Sequence, residues 1–155
     1  MERRTLQLTE GSRLVIRTDA DQIARFLPLA GKTLQLLDRT VQVGVPQVRN
    51  LVSAPALRSR LVTIKLKEAG ANPDELSAEA FAASARRQLD HLGASPEPQL
   101  HLGKRRTLRI KDKEVVGYEV LIEGLTAEES LTLQERGLGG RRHMGCGIFV
   151  PYRQE

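Results

Sequence analysis

The sequence predicts an α+β fold, and the order of the predicted elements is the main observation behind this prediction. From residue 57 to the end of the 155-residue chain, four short stretches with strand character are separated by two predicted helices and by turns. Their order is strand, helix, strand, strand, helix, strand. This is the βαββαβ order of a ferredoxin-like (RRM-like) domain. We therefore predict a ferredoxin-like domain at residues 57–155 and, before it, a partial second ferredoxin-like unit at residues 1–56.

The partial unit is predicted from the order strand, helix, strand. Residues 14–16 are apolar and partly β-branched, which favours a short strand. Thr18-Asp19 then offers an N-cap to a short helix, which ends near Pro28 and Gly31. Extended segments are predicted at residues 33–37 and 40–45, with a turn at Asp38-Arg39.

The two helices of the second part have clear local signals. The first runs from about Asp74 or Ser77 to His91 and has apolar residues on one face at helical spacing. The second begins at Thr126, and Glu129 three residues later completes the pattern of a capping box. The shared face of the first helix consists of Leu76, Ala80, Phe81, Ala85 and Leu89.

The four strands of this part are predicted from apolar and β-branched runs between turn signals. A tight turn at residues 111–113 joins the second strand to the third, and a glycine-rich loop at residues 137–147 precedes the last. The strands are predicted at residues 61–66, 100–110, 115–122 and 148–150.

The amino-acid composition indicates which kind of molecule the protein binds. Hydrophobic residues make up 40% of the chain, which is enough for a buried core, and the net charge of +5 favours an acidic partner such as nucleic acid. Aromatic residues are only 3%, so gripping of an RNA backbone is expected rather than extensive stacking on bases. The single cysteine, Cys146, excludes a disulfide framework and a cysteine zinc site. We expect no secretory signal and no membrane span.

The glycine-rich loop is the strongest feature of the sequence. Five glycines among eleven residues allow close backbone approach and predict a nest of N–H groups for an anion. Arg141 and Arg142 add donors that match phosphate geometry. The loop is not a nucleotide P-loop, because Cys146-Gly147 stands where Lys-Ser/Thr is required. A flexible connection is the alternative interpretation. The glycines are Gly137, Gly139, Gly140, Gly145 and Gly147.

Two groups of basic residues extend this candidate RNA site. One lies on the predicted strand at residues 100–110 and the other near the strand at residues 61–66. Each cation on a phosphate adds affinity that salt removes. The alternative is that both groups are solvated faces of a sheet. The predicted RNA-binding residues are Lys104, Arg105, Arg106, Arg60 and Lys65.

The histidines supply the only candidate for catalysis. His143 lies in the glycine-rich loop, where it could reach a phosphate, and imidazole suits proton transfer near neutral pH. His91 at a helix end and His101 at a strand start are expected to be surface residues. No metal-ligand pattern appears, so no metal site and no cofactor are predicted.

Residues 137–147, followed by Ile-Phe-Val-Pro at 148–151, resemble the C-terminal loop of the CRISPR repeat-RNA endoribonucleases. This is the sixth Cas protein family, and the resemblance is closest to its MYXAN-subtype branch. Supporting similarity lies at residues 43–46, 59–65 and 129–135.

The resemblance implies two ferredoxin-like domains in tandem, a cytoplasmic location and binding of a CRISPR repeat hairpin. It also implies processing of precursor crRNA by metal-independent cleavage, in which the 2′-hydroxyl of the RNA attacks the adjacent phosphate. One alternative is a catalytically inactive subunit that holds the crRNA hairpin in an effector complex such as Cascade, with other Cas subunits as partners. Another is an RNA-binding protein outside CRISPR systems.

The resemblance leaves the source of the catalytic group open. The usual catalytic histidine of the family lies in the first helix of the first domain, which we expect to precede this chain. Three alternatives follow: the chain lacks that group, another chain supplies it, or His143 or His101 takes its role.

Overall fold

A computed structural model of the chain describes residues 9, 11–36, 39–65, 77–110 and 113–153. The chain divides into two compact units, Met1–Arg49 and Asn50–Glu155. The predicted division into a partial ferredoxin-like unit at residues 1–56 and a ferredoxin-like RNA-binding domain at residues 57–155 stays a prediction.

Among the described residues of the first unit, strand β1 (Thr33–Leu36) pairs antiparallel with strand β2 (Arg39–Gln42). The predicted strand at residues 14–16 is wrong, because these residues have no regular secondary structure and Leu14 is 85% exposed. An apolar, β-branched run becomes a strand only when another strand pairs with it. The predicted helix is present as two 3₁₀ segments, Ala20–Arg25 and Leu27–Leu29.

The second unit has the predicted βαββαβ order. Its strands form one antiparallel sheet in the spatial order β4-β5-β3-β6, so the first strand of the unit lies between the third and the fourth. This arrangement confirms the ferredoxin-like prediction. The elements are β3 (Ala56–Val62), α1 (Ala78–His91), β4 (Gln99–Ile110), β5 (Lys113–Glu123), α2 (Ala127–Arg136) and β6 (Val150–Pro151).

The core of this unit joins both helices to one face of the sheet. Phe81 and Leu89 of α1 and Leu133 of α2 are buried in one cluster with Leu57 of β3 and Ile122 of β5. The predicted helix face is confirmed for its buried members, although Ala80 is exposed and residue 76 lies outside the described residues. Because side chains alternate along a strand, the intervening positions point to the other face. We call it the open face, and it carries Arg58, His101, Arg106, Glu119 and Leu121.

The helices begin at the predicted caps. Thr126 and Glu129 form the predicted capping box, in which Glu129 N–H donates to Thr126 Oγ1 (3.2 Å) and Glu129 Oε2 accepts from Thr126 N–H (2.8 Å). Glu129 Oε1 also accepts from both the N–H and the hydroxyl of Ser95, each at 2.7 Å. The hydrogen bonds from Ser95 and Thr126 lower the pKa of Glu129 to about 2. One carboxylate thus ties the start of α2 to the segment between α1 and β4.

Replacing Glu129 with glutamine is expected to lower the free energy of unfolding at pH 7 by about 2 kcal/mol, because charged hydrogen bonds are lost. The folded-state pKa lies below the usual value of 4.5, so this stabilisation is complete above pH 4.5 and is lost as the pH falls towards 2. Urea denaturation between pH 3 and pH 7 measures both effects. Glu128→Gln is the matched control, because Glu128 is exposed in the same turn. Equal losses in the two variants would contradict this account of Glu129.

Candidate nucleic-acid interface

The predicted glycine-rich loop connects α2 to β6. We call residues 137–147 the glycine loop. It begins where Gly137 N–H donates to Leu133 O (2.8 Å) at the end of α2. It then passes along the end of β3, makes a 3₁₀ turn at Arg142–Met144 and leads back into the sheet.

The N–H groups of the glycine loop hold the loop against β3 and α1. Two backbone oxygens of the chain at the end of β3, on Leu61 and Thr63, are among the acceptors. All five glycine N–H groups are therefore engaged within the protein, and the predicted anion nest is not built from them. The bonds of the other four glycines are Gly139 to Gln88 Oε1 (2.8 Å), Gly140 to Thr63 O (2.7 Å), Gly145 to Arg142 O (2.9 Å) and Gly147 to Leu61 O (2.7 Å).

Three glycines of the loop are required because a side chain there would collide with backbone atoms: Gly137, whose Cβ would lie 2.3 Å from Gly147 O, and the two described next. Gly147 has a φ of 66°, and a Cβ atom there would lie 1.9 Å from Leu138 O. Gly139 has a φ of 75°, and its Cβ would lie 2.4 Å from Thr63 O. Neither approach is possible for a residue with a side chain. The glycines therefore shape the loop.

The tip of the glycine loop, Arg141 to His143, is exposed. Arg141 has a left-handed conformation (φ 57°), and its carbonyl oxygen accepts from Met144 N–H (2.9 Å) and Cys146 N–H (3.3 Å). The Arg142 guanidinium donates to Arg136 O, which ties the tip to the end of α2. Within the described ranges, the N–H groups of the three tip residues have no acceptor. The tip thus presents two guanidinium groups, an imidazole and three backbone donors.

Cys146 lies beneath the tip and is 1% exposed. Burial raises the pKa of its thiol, while the charge of Arg141 and a hydrogen bond with Thr63 oppose the shift. The thiol is therefore protonated at neutral pH, so it acts as a packing residue and not as a nucleophile.

The other predicted RNA-binding residues do not lie on one face. Arg105 is opposite Tyr118 and Arg106 is opposite Gly117, so these two arginines point to opposite faces of the sheet. Lys104 is exposed at the irregularity in β4, and Arg60 and Lys65 are exposed in and after β3. Contact of these five residues with RNA stays a prediction.

The candidate catalytic histidine has no orienting partner in the part of the chain that the structure describes. No hydrogen bond joins the exposed ring of His143 to another group there. His101 Nε2, by contrast, lies 3.2 Å from Glu123 Oε2 on the open face.

A charged cluster in the middle of the open face was not predicted from the sequence. Glu119 of β5, whose side chain is 12% exposed, accepts hydrogen bonds from Arg58 of β3 and from Arg106 of β4 (3.0 Å). Burial alone would raise the pKa of Glu119. The hydrogen bonds and charges of the two arginines lower this pKa by a larger amount, so the net shift is downward. The available signal was one acidic residue in the middle of a strand that is otherwise mostly apolar.

The described residues show neither a metal-binding cluster nor a helix that could span a membrane. No group of three or more histidine, cysteine, aspartate or glutamate side chains is placed to hold a metal ion. No helix among these residues has the length and apolar character needed to cross a membrane.

Comparisons with known proteins connect this fold and loop to one family. The family model described as Cas6 Crispr matches residues 1–154. The CRISPR-associated endonuclease Cas6 of Myxococcus xanthus (strain DK1622) is 40% identical over 149 residues, which cover 96% of this chain. This chain spans 60% of the length of that relative.

A solved structure of a Cas6-related gene from Pyrococcus furiosus is similar at 17% identity, with a TM-score of 0.46 over 87% of this chain and 62% of that chain. The match of the family model, by contrast, extends over almost every residue, from the first unit through the glycine loop and β6. This chain therefore belongs to the Cas6 family.

Proposed function

We propose that this chain binds CRISPR repeat RNA and takes part in processing precursor crRNA by metal-independent cleavage. The observation that carries the proposal is the tip of the glycine loop, where Arg141, Arg142 and His143 are exposed together on a backbone held by internal hydrogen bonds. Membership of the Cas6 family and the name of the Myxococcus xanthus relative, an endonuclease, support it.

Binding follows from the charge and geometry of the tip. A guanidinium group donates two parallel hydrogen bonds to a phosphate, and adjacent arginines suit adjacent phosphates of one strand. The backbone N–H groups of the tip residues are further hydrogen-bond donors for a phosphate. Because the loop is fixed to β3 and α1, little ordering is needed when RNA binds, and less binding energy is lost to entropy.

Cleavage by this route needs no metal because the nucleophile belongs to the RNA. A base removes the proton of a 2′-hydroxyl, and this oxygen attacks the adjacent phosphorus. The bond from phosphorus to the 5′-oxygen breaks, an acid protonates the leaving oxygen, and a 2′,3′-cyclic phosphate remains. His143 is the candidate base or acid. Arg141 and Arg142 stabilise the charge that develops on the phosphate oxygens.

The second candidate function is a catalytically inactive subunit that holds the crRNA hairpin. The isolation of the His143 ring favours this candidate, since a catalytic base is usually oriented by another group. In either role we propose that the chain acts in the cytoplasm with other Cas effector subunits.

The test is a cleavage assay with CRISPR repeat hairpin RNA. End-labelled RNA is incubated with the protein in EDTA, beside RNA that lacks the 2′-hydroxyl at each candidate cut site. The expected result is cleavage of the first RNA alone, with a cyclic phosphate product. His143→Ala is expected to lower the rate about 100- to 10,000-fold, whereas His91→Ala is the control.

The outcomes separate the two candidates. Binding without cleavage by the wild-type protein would establish the inactive hairpin-binding subunit. Binding no tighter than that of a scrambled RNA of the same length would overturn the proposed function as a whole.

A further inference from the structure

A depression of about 230 Å³ lies on the open face of the sheet. Its lining includes Arg58 of β3, His101 and Gly103 of β4, Glu119 of β5 and Tyr152 after β6. None of these residues belongs to the glycine loop. The depression is smaller than the pockets of about 300–1,000 Å³ that hold drug-sized ligands, so it suits a single flat ring system.

Hydrogen bonds and packing give the depression a defined shape. The guanidinium groups of Arg58 and Arg106 both donate hydrogen bonds to the Glu119 carboxylate. A Cβ atom at Gly103 would lie 3.1 Å from Glu119 Cγ, so the missing side chain leaves room beside the carboxylate. The guanidinium of Arg58 lies over the ring of Tyr152, 5.8 Å from its centroid. The planar groups are thus held in place before any ligand binds.

The depression keeps unused donor capacity. The Arg58 side chain is 44% exposed although it is ion-paired, so part of the guanidinium faces solvent. The Nε of Arg106 also has no acceptor among the described residues, but it is buried and Arg106 does not line the depression, so the donors that a ligand can reach belong to Arg58.

The charges favour a nucleobase over a phosphate. The cationic groups Arg58 and Arg106 are balanced by the carboxylates of Glu119 and Glu123, the second of which contacts His101 (3.2 Å). A phosphate here would face the carboxylate of Glu119, which lines the depression, whereas a neutral base brings donors, acceptors and a flat π surface. RNA-binding proteins stack unpaired bases on aromatic rings and guanidinium planes and bind their edges by hydrogen bonds.

We propose that this depression binds one unpaired base of the RNA, stacked on the Arg58–Tyr152 pair, as a site separate from the glycine loop. This inference rests on the proposed function, because it takes repeat RNA as the ligand. The loop contacts the strand backbone, and the depression contacts one base outside the paired stem. The glycine loop then supplies most of the affinity for RNA. The open face makes the protein prefer RNAs that have an unpaired base at the matching position.

The test is a scan in which each unpaired nucleotide of the repeat RNA is replaced, one at a time, by an abasic nucleotide. Fluorescence anisotropy measures the dissociation constant of each RNA. For the wild-type protein, one position is expected to weaken binding about 5- to 100-fold, the range for loss of one stacked base. The loss at this position is expected to disappear in Tyr152→Leu, which removes the ring but keeps the backbone bond from Tyr152 N–H to Ala56 O.

Two further variants complete the test. Arg58→Gln removes the stacked guanidinium from an exposed position and serves if Tyr152→Leu does not fold. The double variant Arg141→Ala with Arg142→Ala is expected to bind all RNAs more weakly and to keep the loss at the abasic position. No sensitive position in the wild-type protein, or a loss that persists in both open-face variants, would overturn the inference while leaving the proposed function standing. Wild-type protein that does not prefer repeat RNA to scrambled RNA would overturn both.

Discussion

Replacing Arg141 and Arg142 together with alanine is expected to weaken binding of repeat RNA about 100-fold. In the proposed function each arginine donates hydrogen bonds to a phosphate, and a bond to a charged group contributes about 1.5–3 kcal/mol. A factor of ten in affinity corresponds to about 1.4 kcal/mol, so two such contacts account for the expected loss. Both side chains are exposed at the tip of the glycine loop.

Salt dependence distinguishes lost phosphate contacts from general damage. The slope of log affinity against log salt concentration is expected to fall by about 1.5 in the double variant, because two phosphates are no longer neutralised. Anisotropy titrations at four salt concentrations measure this slope. Arg25→Ala with Arg49→Ala removes the same net charge from exposed positions of the first unit. An unchanged affinity and slope in a folded double variant of the tip would remove the glycine loop from the site.

Replacing Gly147 with alanine is expected to lower the free energy of unfolding by about 4 kcal/mol, which is exceptional for one methyl group. The added Cβ would lie 1.9 Å from Leu138 O, and the φ of 66° disfavours any side chain. The loop must move to remove this collision, and the movement breaks the hydrogen bond from Gly147 N–H to Leu61 O (2.7 Å). Urea denaturation followed by circular dichroism measures the change.

Gly145→Ala is the matched control for this prediction. Gly145 also has a positive φ, 84°, but a Cβ there meets no atom within 4 Å among the described residues. Gly145→Ala is therefore expected to lower the free energy of unfolding through conformational strain alone, by about 1–2 kcal/mol. If the two alanine variants were equally stable, the close contact of Gly147 with Leu138 would not be what requires glycine at residue 147.

Local signals in the sequence predicted the parts of the fold that depend on near neighbours. The capping box needs only Thr126 and a residue three positions later, and the structure contains it. The helical spacing of Phe81, Ala85 and Leu89 likewise predicted the buried face of α1. The βαββαβ order followed from such signals taken one after another, and it restricts the chain to few topologies.

Features that depend on distant partners were missed or wrong. The amides of the glycine loop are bound by oxygens of Leu61, Thr63 and Gln88, about 50 to 85 residues earlier in the chain. Nothing in the loop sequence shows these acceptors, so the glycines were interpreted as donors for an anion. The cluster around Glu119 depends in the same way on the pairing of β5 with β3 and β4. An apolar run such as residues 14–16 also needs a partner strand that sequence alone does not show.

Different residues of the glycine loop maintain its backbone path and form its exposed tip, which has a consequence for how the protein can evolve. The glycines maintain the path of the backbone, while the exposed side chains of Arg141, Arg142 and His143 do not support that path through burial. Under the proposed function, mutations at Arg141 and His143 change how tightly the tip binds the RNA backbone at little cost in stability, whereas most changes at Gly139 or Gly147 remove the loop itself. A lineage can therefore adjust the affinity of the tip for the RNA backbone and keep the same scaffold.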